Sequence, residues 1–116
     1  MIDIKERMIV EVVEQIYRKY PELKERYGEQ GVQKCREDND HHFKHLETAF
    51  ELKNDQFFVD YALWLNGILQ NHGMTAEHLY INFELIQKVL DDELGTERKD
   101  AYENALNKAI IILKNK

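Results

Sequence analysis

Three of the five histidines of this 116-residue chain fall within one segment, Cys35-Arg36-Glu37-Asp38-Asn39-Asp40-His41-His42-Phe43-Lys44-His45. Wound as an α-helix, the segment aligns Val32, Cys35, Phe43, Leu46, Ala49 and Phe50 into an apolar stripe, with Asn39 near its centre and His42 inside its edge. An amide and an imidazole are therefore expected to face the protein interior. Asp38, one helical turn before His42, is expected to accept a hydrogen bond from the imidazole and fix its tautomer. Two chemistries follow from such a pair. His42 is a satisfied core residue that specifies how helices dock, or Asn39, His42 and Cys35 are the polar lining of an apolar ligand pocket.

Other chemistries have less support. His41 and His45 are four residues apart and Asp38 is three before His41, a spacing that places metal donors on one helical side. A di-iron carboxylate site needs Glu-x-x-His on two helices with further inward glutamates, and no partner for the single Asp-x-x-His exists. No metal is expected. Cys35 lies inside a helix on the apolar side, where a thiol is an inert small hydrophobe. The chain contains no serine, no glycine-rich phosphate loop and no dinucleotide fingerprint, so no enzyme is expected. Haem needs a positioned axial donor, and the apolar third helix offers only His72 at its end. No cofactor is expected.

Composition narrows the field further. The formal charge is −6, with 43% hydrophobic residues and a mean hydropathy of −0.63, which predicts one soluble domain with a real core and no membrane-spanning helix. An acidic chain lacks the Lys/Arg excess that a nucleic-acid backbone requires. One cysteine makes no internal disulfide, residues 1–20 are charged throughout, unlike a secretory signal, and the cytoplasm is the expected location.

Helical periodicity runs through the elements that must position the segment, and no strand pattern competes. The first run, 3–20, repeats Ile9, Val12, Val13, Ile16, Tyr17 and Tyr20. Pro21 restarts the chain, predicting a short helix from Glu22 to Tyr27 that Gly28 ends. The second long run spans 31–53. The third, 55–72, has Asp55 as its expected N-cap. Its broad apolar face is Phe57, Phe58, Tyr61, Trp64, Leu65, Ile68 and Leu69, and a narrower one opposite is Val59, Leu63 and Gly67. The fourth starts at Thr75, carries Leu79, Phe83, Ile86, Leu90 and Leu94, and ends at Gly95. The fifth runs from Thr96 through Tyr102, Ala105, Leu106, Ala109, Ile110 and Leu113. The expected architecture is all-α, five main helices and one short one, in a globin-like stack or an antiparallel bundle.

Several of these stretches also carry a family resemblance. Cys35-Arg36-Glu37-Asp38, Leu46-Glu47-Thr48-Ala49-Phe50, the run from Asp55 through Tyr61-Ala62-Leu63-Trp64-Leu65-Asn66-Gly67-Ile68, and Gly73-Met74-Thr75 resemble the phycobiliprotein core. Tyr27-Gly28, His45-Leu46 and Phe58-Val59-Asp60-Tyr61 are similar to the bacterial bilin- and cobalamin-associated globins. The resemblance implies a globin-like fold with sensory or tetrapyrrole-handling roles. It implies Cys35 as the position of bilin attachment and Asp38 as the carboxylate that holds pyrrole nitrogens. Arg36 departs from the pattern by standing one place early.

Two functions are carried forward. One is a non-catalytic sensory or protein-interaction module, with a signalling protein as a possible partner. It is expected to be a homodimer through Val59, Leu63 and Gly67, widened by Ile111 and Ile112. The other is a small-molecule binder, for a tetrapyrrole or another apolar ligand, whose pocket lies between the second and third helices. Its expected lining is Cys35, Asp38, Asn39, His42, Tyr61, Trp64 and Leu65.

Overall fold

The computed structural model describes residues 3–116. The fold is all-α: α1 (Ile4–Lys19), α2 (Pro21–Leu52), α3 (Asp55–Asn71), α4 (Ala76–Val89), a single 3-10 turn (Asp92–Leu94) and α5 (Thr96–Lys114), with no strand among the described residues. Asp3 caps α1 by accepting from the Glu6 amide at 2.8 Å. The amide of Thr75, at the head of α4, donates to His78 Nδ1 at 3.2 Å. These contacts satisfy backbone donors that a helix start otherwise leaves unpaired.

Three local expectations need correction, and one holds. The short helix from Glu22 to Tyr27 is the first part of α2, set off from the rest by Gly28, whose φ 63 and ψ −154 break the helical geometry where a stop is expected. A side chain would be strained there, and glycine allows the break. The cap of α3 is Asn54 rather than Asp55, its side chain accepting from the Gln56 amide at 3.0 Å. Helix α4 stops at Val89, because Leu90 is extended and Asp91 caps the following turn through the Glu93 amide at 2.8 Å. Finally, the buried face of α3 is Phe58, Val59, Tyr61, Ala62 and Asn66, while Trp64 is 63% exposed. At about 100° per residue, the centre of this face lies near Ala62 and Phe58, well away from Trp64.

The helices form a slab 39 × 38 × 17 Å, about two helices thick. Around it α1 packs on α2 and α4, α2 on α3 and α5, and α5 on α3 and α4. Val59, expected at a homodimer face, is buried within the chain, and α3 is covered by both α2 and α5. Helices α2 and α4 are not close-packed neighbours. They meet instead through side chains, and the space between them is the feature from which the site is built.

Candidate functional site

Asn39 and His42 both turn inward, with 0% and 2% of their surface exposed. Asn39 spans the gap to α4 in a reciprocal amide pair: its Nδ2 donates to Asn82 Oδ1 at 3.1 Å, and Asn82 Nδ2 donates back to Asn39 Oδ1 at 2.7 Å. A further hydrogen bond runs from Asn39 Nδ2 to the Cys35 carbonyl at 3.0 Å. Both amide hydrogens of Asn39 are thereby used. Asn82 has two as well, and only one is taken by a protein acceptor among the described residues.

His42 does not pair with Asp38. Its Nδ1 lies 2.7 Å from Tyr61 Oη on α3, and its ring stands edge-on to Phe83 at 5.2 Å. Asp38, at the edge of the stripe, instead accepts from Lys34 Nζ at 2.8 Å. The inward imidazole reaches the facing helix, whereas the carboxylate keeps to the surface where a cation and water solvate it. Burial, reinforced by the charges of His45 and His41, lowers the His42 pKa to about 3. The ring is neutral at physiological pH.

Tyr61 settles which nitrogen of His42 carries the proton. Burial, with Asp38 adding to it, raises the phenol above its ordinary value, so the hydroxyl keeps its hydrogen. Its sole acceptor among the described side chains is His42 Nδ1. Tyr61 therefore donates to Nδ1, which leaves the N–H of the neutral ring on Nε2. No protein group bonds that Nε2 among the described residues.

A cavity of about 490 Å³ opens beside these groups, walled by α1, α2, α3 and α4. Cys35, Asp38, His42 and Leu65 line it. Asn39 and Tyr61 do not, and stand behind its wall as the hydrogen-bond partners of Asn82 and His42. Trp64 points to solvent and is corrected out of the site. Periodicity on α2 and α3 missed the walls that other helices supply, among them Tyr17 and Tyr20 near the end of α1 and Leu79, Ile81 and Asn82 on α4. One signal was present: Asn82 lies in the stripe of Leu79, Phe83, Ile86 and Val89, a polar residue on a buried face.

Cys35 is half-buried, and burial, with Asp38 adding to it, raises its thiol to about 11. Among the described residues, no group of three or more His, Cys, Asp and Glu side chains is gathered to hold a metal. His41 is exposed. His45 stacks on Tyr61 with ring centroids 3.7 Å apart and bonds the His41 carbonyl through Nδ1 at 2.7 Å. No described helix is long and apolar enough to cross a membrane. With this geometry in hand, comparison with known proteins finds no matching family model, no matching curated protein and no matching solved structure.

Proposed function

We propose that the chain is a non-catalytic binding module that takes a small, largely apolar molecule between α1, α2, α3 and α4. The observation that carries this reading is the buried, neutral His42, with an unpartnered Nε2 beside a cavity of about 490 Å³. Sites for small molecules have this form, an apolar lining of such volume with a few fixed polar groups. Here the polar groups are the Nε2–H of His42 and the unused amide hydrogen of Asn82. Both donate, so the inner end of the ligand carries an uncharged acceptor such as a carbonyl or ether oxygen.

Binding without reaction fits the protonation states. A thiol at about 11 is a poor nucleophile at neutral pH, and an imidazole at about 3 is a poor base. For the same reason covalent attachment of a bilin to Cys35 is not part of this reading. A fragment screen followed by side-chain amide NMR tests it. Carbonyl-bearing aromatic fragments should shift the Asn82 and Asn39 amide signals together. Hits that leave both signals unmoved would refute the cavity as the site.

A second reading, a sensory or interaction module that pairs with its own copy or a signalling protein, draws support from Trp64 and Ile111, 63% and 60% exposed. Large exposed side chains of this kind are common at interfaces, and also occur singly on ordinary surfaces. Sedimentation of the wild type against Trp64→Ala and Ile111→Ala distinguishes the two. Self-association that both substitutions abolish supports the interaction module, and a monomer at all concentrations removes its homodimer form.

A further inference from the structure

His78 occupies the third position of α4 and makes two contacts there. Its Nδ1 accepts from the Thr75 amide at 3.2 Å and lies 3.1 Å from Thr75 Oγ1, so the side chain closes back on the residue at the head of its own helix. Its ring also packs against Tyr20, at the corner between α1 and α2, with centroids 5.2 Å apart. Both rings line the cavity. One turn further along α4 stands Asn82, whose amide bonds Asn39 Oδ1 at 2.7 Å and keeps a second hydrogen for a ligand. The cap at the head of α4 and the polar floor of the cavity thus share one short stretch of helix.

Helices usually close such a cap with Glu or Gln at this position, whose side-chain oxygen accepts throughout the neutral range. Histidine accepts only while Nδ1 is bare, and imidazole is the side chain that changes charge between about pH 5 and 8. Protonation puts a hydrogen on Nδ1. Thr75 Oγ1 can accept it, but the Thr75 amide then meets a donor where it had an acceptor, and a positive charge stands at the positive end of the helix. Other groups favour the released ring. Tyr20 is in contact with it, and Glu77 and Tyr80 on α4 and Glu22 on α2 are near enough to act on the Tyr20 phenol. An aromatic ring and carboxylates attract an imidazolium and so compete with Thr75 for it. Helix α3 contributes His72 to the same lining, and α2 contributes Lys34 and Asp38, which are bonded to each other at 2.8 Å. His42 remains neutral until about pH 3 and takes no part.

We infer that His78 is a pH-sensitive latch on the ligand cavity: its protonation releases the first turn of α4 from Thr75, loosens the walls that Leu79 and Asn82 supply, and weakens binding. This regulation presupposes the ligand site proposed above. Linkage requires the converse effect, since a ligand that favours the capped helix holds the proton off His78 and moves its titration to lower pH.

Phenethyl alcohol, an uncharged probe, tests this when titrated into the full chain at about pH 7.5 and about pH 5.5. The Asn82 and Asn39 side-chain amide signals report binding, and the His78 ring signals report protonation. The wild type should bind about fivefold more weakly at the lower pH, the scale of a lost helix cap, and His78 should titrate at lower pH with the probe than without it. His78→Gln keeps an acceptor for the Thr75 amide but no titrating ring, so its affinity should be the same at both pH values. His78→Ala, without the acceptor, should bind weakly at both, and His72→Gln should retain the wild-type dependence. Equal wild-type affinity at the two pH values, a dependence that survives in His78→Gln, or one that vanishes in His72→Gln overturns the latch and leaves the cavity reading standing. So does His78→Ala binding as tightly as the wild type at the higher pH. A probe that shifts neither amide at either pH overturns both.

Discussion

Asn39 and Glu47 stand about two turns apart on α2, and each anchors a polar cluster that ties this helix to another. The Asn39 cluster is buried and uncharged: an amide pair to α4, with the imidazole of His42 bonded to Tyr61 beside it. The Glu47 cluster is ionic and partly open. Glu47 accepts from Arg98 Nε and Nη2 at 2.8 and 3.2 Å and from the Tyr102 hydroxyl at 2.7 Å, and Arg98 lies over the Phe50 ring at 4.7 Å. Burial pushes the Glu47 carboxyl up, but Arg98 and Tyr102 outweigh it and hold the group below its ordinary value. Both clusters tie α2 to a neighbouring helix, yet they fail at different costs. Water can replace a lost partner at Glu47, whereas nothing replaces one at Asn39.

Acid separates the two most strongly. The unfolded His42 imidazole takes up its proton near 6.5, while the folded one resists until about 3. Between these values the unfolded chain binds more protons, so stability is full above about pH 6.5 and falls as the pH is lowered, by up to about 1.4 kcal/mol per pH unit. Urea unfolding across this range should show the slope in the wild type and a flatter profile in His42→Gln. The depressed Glu47 carboxyl contributes in the same direction, but its loss begins only as pH falls through the ordinary carboxylate range. An unchanged slope in His42→Gln would move the acid sensitivity away from the buried cluster.

Next in size is the amide pair. Asn39→Ala leaves the Asn82 amide without its partner and opens a void, and should cost about 3 kcal/mol in equilibrium unfolding. Replacing both amides by leucine should cost less than the sum of the single changes, because no polar group is then left unpaired.

Glu47→Gln should cost about 1 kcal/mol or less, since the cluster is partly exposed, and part of the loss should vanish in high salt while the Asn39→Ala loss does not. An equal salt response at both sites would erase the contrast drawn above. The smallest effect belongs to Trp64→Ala, expected within about 0.5 kcal/mol in the same unfolding assay because the ring lies mostly in solvent.

The contrast also explains how far the sequence could be read. Asn39 and His42 were legible as inward-facing because they interrupt a stripe of Val32, Cys35, Phe43 and Leu46, and periodicity along one helix is a local signal. Their partners were not. Asp38 is nearer to His42 in sequence than Tyr61, but which helix faces His42 depends on tertiary packing, and that packing supplies Tyr61 and Asn82. The same limit hid the walls from α1 and α4 and the tie between Glu47 and Arg98, which is 51 residues away. On α3 the bulk of Trp64 drew the expected face toward it. The small Ala62 and the polar Asn66 are buried instead, since close helix packing favours slender side chains where backbones approach. Helix starts were read more closely, as Thr75 and Thr96 show, because capping and turn chemistry are local.

The central claim is that α2 buries a neutral imidazole whose free N–H faces a ligand cavity. Long-range proton–nitrogen NMR of the His42 ring, recorded from neutral pH down to about pH 5 with and without phenethyl alcohol, addresses it directly. The predicted result is a single neutral tautomer protonated on Nε2 throughout this range, with the Nε2 signal moving when the alcohol is added. An imidazolium forming near pH 6.5, or an Nε2 signal that ignores the alcohol while binding is detected elsewhere on the protein, would contradict it.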